Sequence, residues 1–83
     1  MPDYVLTNKE IAQAKRLVTI ARNRKDWNLL FNAVQGARFL FQKKGWPDNW
    51  TWFVRHLDDI PPDANPALLN EIRHERERWE DPE

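Results

Sequence analysis

Pro47, Pro61, Pro62 and Pro66, with Gly45, cut this chain into segments, and nearly everything between the cuts repeats with a helical period. Proline fixes φ and has no N–H to donate, so it can open or stop a helix but does not continue one. Glycine is scarce, with two in 83 residues. No alternating β-branched run of useful length and no hairpin turn stands anywhere in the sequence. The expected fold is all-α: a compact three- to four-helix bundle with short connections, a single domain over 1–83.

The spacing predicts helices over about 8–24, 27–44, 49–59 and 66–80. Thr7 and Glu10 form a capping box at the start of the first, each satisfying an orphan backbone N–H. Ile11, Ala14, Leu17, Val18 and Ala21 share one face of that helix. Asp26 caps the second helix, whose apolar residues from Trp27 to Phe41 cover an arc of about 200°. So wide a stripe means contact on more than one side, which makes this the central helix. Gly36 lies at the edge of the stripe, and close approach by a neighbouring helix is the expected compensation for its low helix propensity. Gly45 is expected to close the helix in a Schellman motif, with Trp46 touching Phe41. Asp48 is the expected cap of the third helix, where Trp50, Phe53, Val54, Leu57 and Ile60 face one way. Asn65 and Pro66 open the fourth in the arrangement favoured at helix starts. The expected core is Leu17, Val18, Leu30, Phe31, Val34, Phe41, Phe53 and Leu57.

A chain this short buries a modest core, and ten aromatic residues, five of them Trp, help to fill it. Net charge is zero, but its distribution is uneven. Residues 1–44 hold nine Lys/Arg against three acids, which leaves +6; residues 45–83 hold four against ten, which leaves −6. Basic and acidic helices lying side by side and neutralising one another is the expected outcome. No secretory signal and no membrane-spanning apolar run is visible. The absence of Cys fits a reducing compartment. The chain is therefore expected to be soluble and cytoplasmic, with no membrane partner.

Catalytic chemistry has little to draw on. There is no Ser and no Cys, so Thr7, Thr19 and Thr51 are the only hydroxyl nucleophiles apart from the Tyr4 phenol. His56 with Asp58 and Asp59 lacks a third metal ligand of suitable spacing. His74–Glu75 has no second His four residues after His74, so it is not a zincin start. There is no Gly-rich phosphate loop. The expectation is a non-enzyme with no cofactor and no metal.

Two binding surfaces can be read. Lys15, Arg16, Arg22, Arg24, Lys43 and Lys44 could hold phosphates if they gathered on one face. However, the wheel spreads the cations of the first helix over both flanks, and the third helix, the natural reader, carries Asp58 and Asp59. The other surface is made of residues that break the amphipathic pattern. Trp52 falls on the face opposite the apolar stripe of its helix, with Arg55, His56 and Asp59. Phe39 sits on the polar side of the central helix. Such aromatics are either covered by helix 4 or the segment Tyr4–Leu6, or exposed as binding anchors. Arg38, conversely, falls inside an apolar arc, where an ion pair with Asp58 or Glu71 is expected. The leading expectation is a small protein-interaction domain, a regulator, inhibitor or adaptor that binds a larger protein through Trp52, Arg55, His56 and Phe39. The alternative is a nucleic-acid-binding accessory protein using the basic N-terminal half.

Overall fold

The structure, a computed structural model, describes residues 6–79. Its elements are α1 (Asn8–Asn23), α2 (Trp27–Lys44), α3 (Trp50–Arg55) running into a 3₁₀ turn (His56–Asp59), and α4 (Pro66–Arg78). Among the described residues there is no strand, and the fold is a small all-α bundle. Tyr4, Val5 and Glu80, drawn into the expectations above, lie outside the described residues.

The capping box of α1 is formed as expected: the Glu10 backbone N–H donates to the Thr7 hydroxyl at 3.2 Å, and the Thr7 N–H donates to the Glu10 carboxylate at 3.1 Å. The end of α1 is a surprise. Lys25 adopts a left-handed φ of 56°. Its N–H donates to Arg22 C=O, and the Asp26 N–H reaches back to Ala21 C=O, both at 3.0 Å. These are the paired bonds of a Schellman motif, with lysine in the place glycine usually takes. Asp26 then caps α2, its carboxylate accepting from the Leu29 N–H at 3.2 Å. One residue thus closes α1 and opens α2, which sets the two helices side by side as a tight hairpin.

Gly45, where the Schellman motif was expected, ends α2 differently. Its N–H makes a single bond to Phe41 C=O at 2.7 Å, with φ 115° and ψ 147°. That region is open to glycine and almost nothing else. The expected contact of Trp46 with Phe41 is present, with ring centroids 6.0 Å apart.

The third helix is shorter and tighter than its periodicity suggests. Asn49, not Asp48, holds the cap position, and its side chain makes no capping bond. From His56 the backbone winds as 3₁₀. Ile60 precedes Pro61 and is held extended at ψ 123°, as a residue before proline prefers. With no further turn to follow, the helix end tightens. The His56 N–H bonds back to Phe53 C=O instead of Trp52 C=O. The carbonyl left over at Trp52 is met at 2.7 Å by Nδ1 of the His56 ring itself. A carbonyl only accepts, so that nitrogen carries the proton.

The core centres on α2. Leu30, Phe31, Ala33, Val34, Ala37 and Phe41 are buried on that helix alone, against Val18, Ala21, Phe53, Leu57, Ile60, Leu68 and Ile72. The expected core is therefore found, with one exception. Leu17 is 43% exposed. Val18 and Ala21 take the contact with α2, and Leu17 stands one step round α1 from them, at the margin. The expectation for Gly36 also fails, since nothing lies within 4 Å of where its Cβ would be.

Candidate functional site

Three of the six cations that would bind phosphate, Lys15, Arg22 and Lys44, have partners within the fold. Lys15 lies over the Trp52 ring, with Nζ 5.2 Å from its centre. Arg22 binds Asp59 at 2.9 Å, and Lys44 binds Glu10 at 2.8 Å. Lys15 and Arg22 are two turns apart on one flank of α1, so both serve to dock α1 against α3 and the 3₁₀ turn. Arg16, Arg24 and Lys43 are exposed and make no ion pair with a described residue. Between the two charged halves the described residues show one ion pair, Arg22–Asp59. Lys44–Glu10 and Arg76–Asp58 each stay within one half.

The pattern-breaking aromatics separate as well. Trp52 is half-buried. Its ring stands edge-on to Phe53 at 5.0 Å, lies against His56 at 4.2 Å, and has Lys15 above it. His56 stands four residues after Trp52, on the face the helical wheel gave it, and its ring meets the Trp52 ring there. His56 is thereby engaged twice, as a stacking partner and as the donor to Trp52 C=O. Arg55 is exposed one residue before it. Phe39 has quite different neighbours. It is 66% exposed and edges a recess of about 190 Å³ that Gln35, Arg38, Gln42, Glu75, Arg78 and Trp79 complete. Trp52, Arg55, His56 and Phe39 are therefore not brought together into one patch.

Arg38 is buried as the apolar arc requires, at 3% exposure. Its guanidinium carbon lies over the Trp79 ring at 4.2 Å and over the Trp46 ring at 5.1 Å. Desolvated cation–π contacts of this kind are worth about 2 kcal/mol. Asp58, one of the two acids expected to meet Arg38, is held by Arg76 at 2.8 Å instead. Around Phe41 a continuous aromatic series runs from Phe53 through Phe41 and Trp46 to Trp50, with successive centroids 5.1, 6.0 and 5.3 Å apart.

Two further recesses are open to solvent. One, of about 520 Å³, lies between the 3₁₀ turn and α4 over Leu57, Ile60, Leu69 and Ile72. Two of its rim residues, Arg76 and Asp58, are bound to each other. The other, of about 310 Å³, runs between α1 and α2 and includes Leu17 and Gly36. Among the described residues no three His, Asp or Glu side chains come together as a metal site would need. No described helix is long and apolar enough to cross a membrane.

Fold and surface together define a small all-α domain organised round a Trp-rich aromatic cluster, with its exposed apolar groups on the α1–α2 hairpin. No protein-family model, no curated protein and no solved structure matches the chain.

Proposed function

We propose that this domain is a small non-catalytic protein-interaction module, a regulator, inhibitor or adaptor that binds a larger protein from a cytoplasmic position. Phe39 carries the reading. Its phenyl ring stands two-thirds exposed on the central helix. Covering such a ring is worth about 1.5–2 kcal/mol to whatever covers it. The lack of Ser and Cys leaves little for nucleophilic catalysis and is consistent with a binding role. Trp52 and His56 have partners within the fold, so the interaction surface is centred on α2 and not on α3. Nucleic-acid binding gains no specific support, because Lys15, Arg22 and Lys44 are engaged inside the molecule.

The test compares immobilised wild-type domain with Phe39→Ala in capturing proteins from its source cells, alongside salt titrations against duplex and single-stranded oligonucleotides. The variant should melt within a few degrees of wild type and lose the captured protein. A strongly salt-dependent oligonucleotide complex that Phe39→Ala leaves unchanged, with no protein retained, would replace this reading with the nucleic-acid one.

A further inference from the structure

Leu17 and Gly36 both line the groove between α1 and α2, and both are anomalous. Leu17 is a large apolar side chain that the core does not take up, and Gly36 is a mid-helix glycine that no neighbour approaches. With Ala14, Ala33, Ala37 and Leu40 they give the groove an apolar floor of small side chains bounded by two leucines. The only charged residue lining it is Glu10, whose carboxylate is bound to Lys44.

The margins are cationic. Residues three or four apart on a helix are neighbours on its surface. Gln13 lines the groove, so Lys9 and Arg16 stand beside it along the outer edge of α1, and Arg24 continues that edge two turns beyond Leu17. On α2, Lys43 stands one turn beyond Leu40. These four cations are exposed and make no ion pair with a described residue.

An apolar floor excludes a phosphate backbone, which would have to lie on uncharged side chains. A second copy docking through the same face would bring two basic hairpins together. We infer that this groove receives an acidic amphipathic helix of a partner protein: apolar side chains enter beside Gly36, and Asp or Glu on the flanks meets Lys9, Arg16, Arg24 and Lys43. This rests on the protein-interaction reading and specifies the chemistry of its partner. The missing Cβ at Gly36 gives room for the partner's backbone to come close, as glycines do at helix crossings.

The probe is a displayed library of 18-residue peptides with apolar residues at helical i, i+3, i+4, i+7 spacing and the flanks randomised over Glu, Lys, Gln and Ala. Selection on the wild-type domain should enrich Glu at the flanks. Individual selected peptides should then lose binding about tenfold or more to Gly36→Leu, whose new side chain enters the groove from a Cβ with no atom within 4 Å of it. Arg16→Glu with Lys43→Glu should weaken them about tenfold, the combined size of two exposed ion pairs. Selection that yields no binder, flanks no richer in Glu than the input, or binders indifferent to Gly36→Leu each overturn the assignment. An oligonucleotide that binds through Arg16 and Lys43 but ignores Gly36→Leu overturns it in favour of phosphate. Selfassociation of the free domain that Gly36→Leu abolishes overturns it in favour of a second copy. Capture that depends on Phe39 but not on Gly36 removes the groove and leaves the broader reading standing.

Discussion

Glu10 and Lys44 join the beginning of α1 to the end of α2 through one carboxylate. Oε1 of Glu10 accepts from the Thr7 N–H and hydroxyl, and Oε2 accepts from Lys44 Nζ at 2.8 Å. The carboxylate that completes the capping box of the first helix is therefore also the latch that closes the open end of the hairpin, opposite the Asp26 turn.

That latch is sensitive to acid. The Lys44 ammonium, followed by the Thr7 N–H, holds the Glu10 carboxyl below its ordinary value of 4.5. The unfolded chain therefore takes up this proton at a higher pH than the folded one does. The stabilisation is complete above the unfolded value and is lost as pH falls through the lower, folded one. Wild-type stability should fall more steeply than that of Glu10→Gln as pH drops below about 4.5. Urea unfolding at a series of acid pH values reads this directly, and parallel curves for the two proteins would show the latch to be inert.

Three backbone positions give stability changes of opposite sign. Gly36→Ala should stabilise by about 1 kcal/mol, since Ala is the better helix former and its methyl meets nothing. Lys25→Gly should stabilise by about 0.5–1 kcal/mol by relieving the left-handed φ of the Schellman position. Gly45→Ala should destabilise by about 1–3 kcal/mol, because its φ of 115° is strained for any side chain. Each kcal/mol moves the melting temperature of a domain this size by roughly 4–8 °C. A destabilised Gly36→Ala would mean that the groove is closed in solution.

The Arg38–Trp79 contact is measurable as a coupling. Trp79→Ala should cost more in the wild-type background than in Arg38→Met, with an interaction energy of about 1–2 kcal/mol from a double-mutant cycle. Additive effects would show that the guanidinium and the ring merely lie near each other.

Trp52 and His56 are expected to act on the fold. Trp52→Ala should lose roughly 2 kcal/mol, less than the 3–5 typical of a fully buried aromatic because the ring keeps part of its surface in water. His56→Ala should cost about 1 kcal/mol for the donor lost at Trp52 C=O. Nitrogen chemical shifts of the neutral ring should report the proton on Nδ1. A proton on Nε2 would mean that the bond to Trp52 C=O does not form.

The hairpin was legible in the sequence because its signals are local. The Thr7–Glu10 box, the Asp26 cap and the broad apolar stripe of α2 act over four residues or fewer, or along one helix. The surface was less legible, for reasons that can be assigned. Leu17 and Val18 both satisfy a 3.6-residue period, and only the angle at which α2 crosses decides which is buried. Trp52 falls on the far side of a regular α-helical wheel, but the 3₁₀ turn and the reach of Lys15 from α1 cover it. Lys25 and Gly45 exchange the roles their side chains suggest, because the position of the next cap, Asp26, dictates where α1 must turn.

The 3₁₀ turn has a consequence for changes in chain length. Its adjacent residues Asp58 and Asp59 hold helices on opposite sides, Arg76 of α4 and Arg22 of α1. A 3₁₀ turn advances about 120° per residue, so one residue inserted after Leu57 would swing both carboxylates away from their partners together. The loop between Ile60 and Pro66 makes no such pair with a described residue and would absorb the same insertion at small entropic cost. Insertions and deletions should therefore accumulate between Pro61 and Asn65 in any lineage that preserves this fold, and the turn His56–Asp59 should keep its four residues.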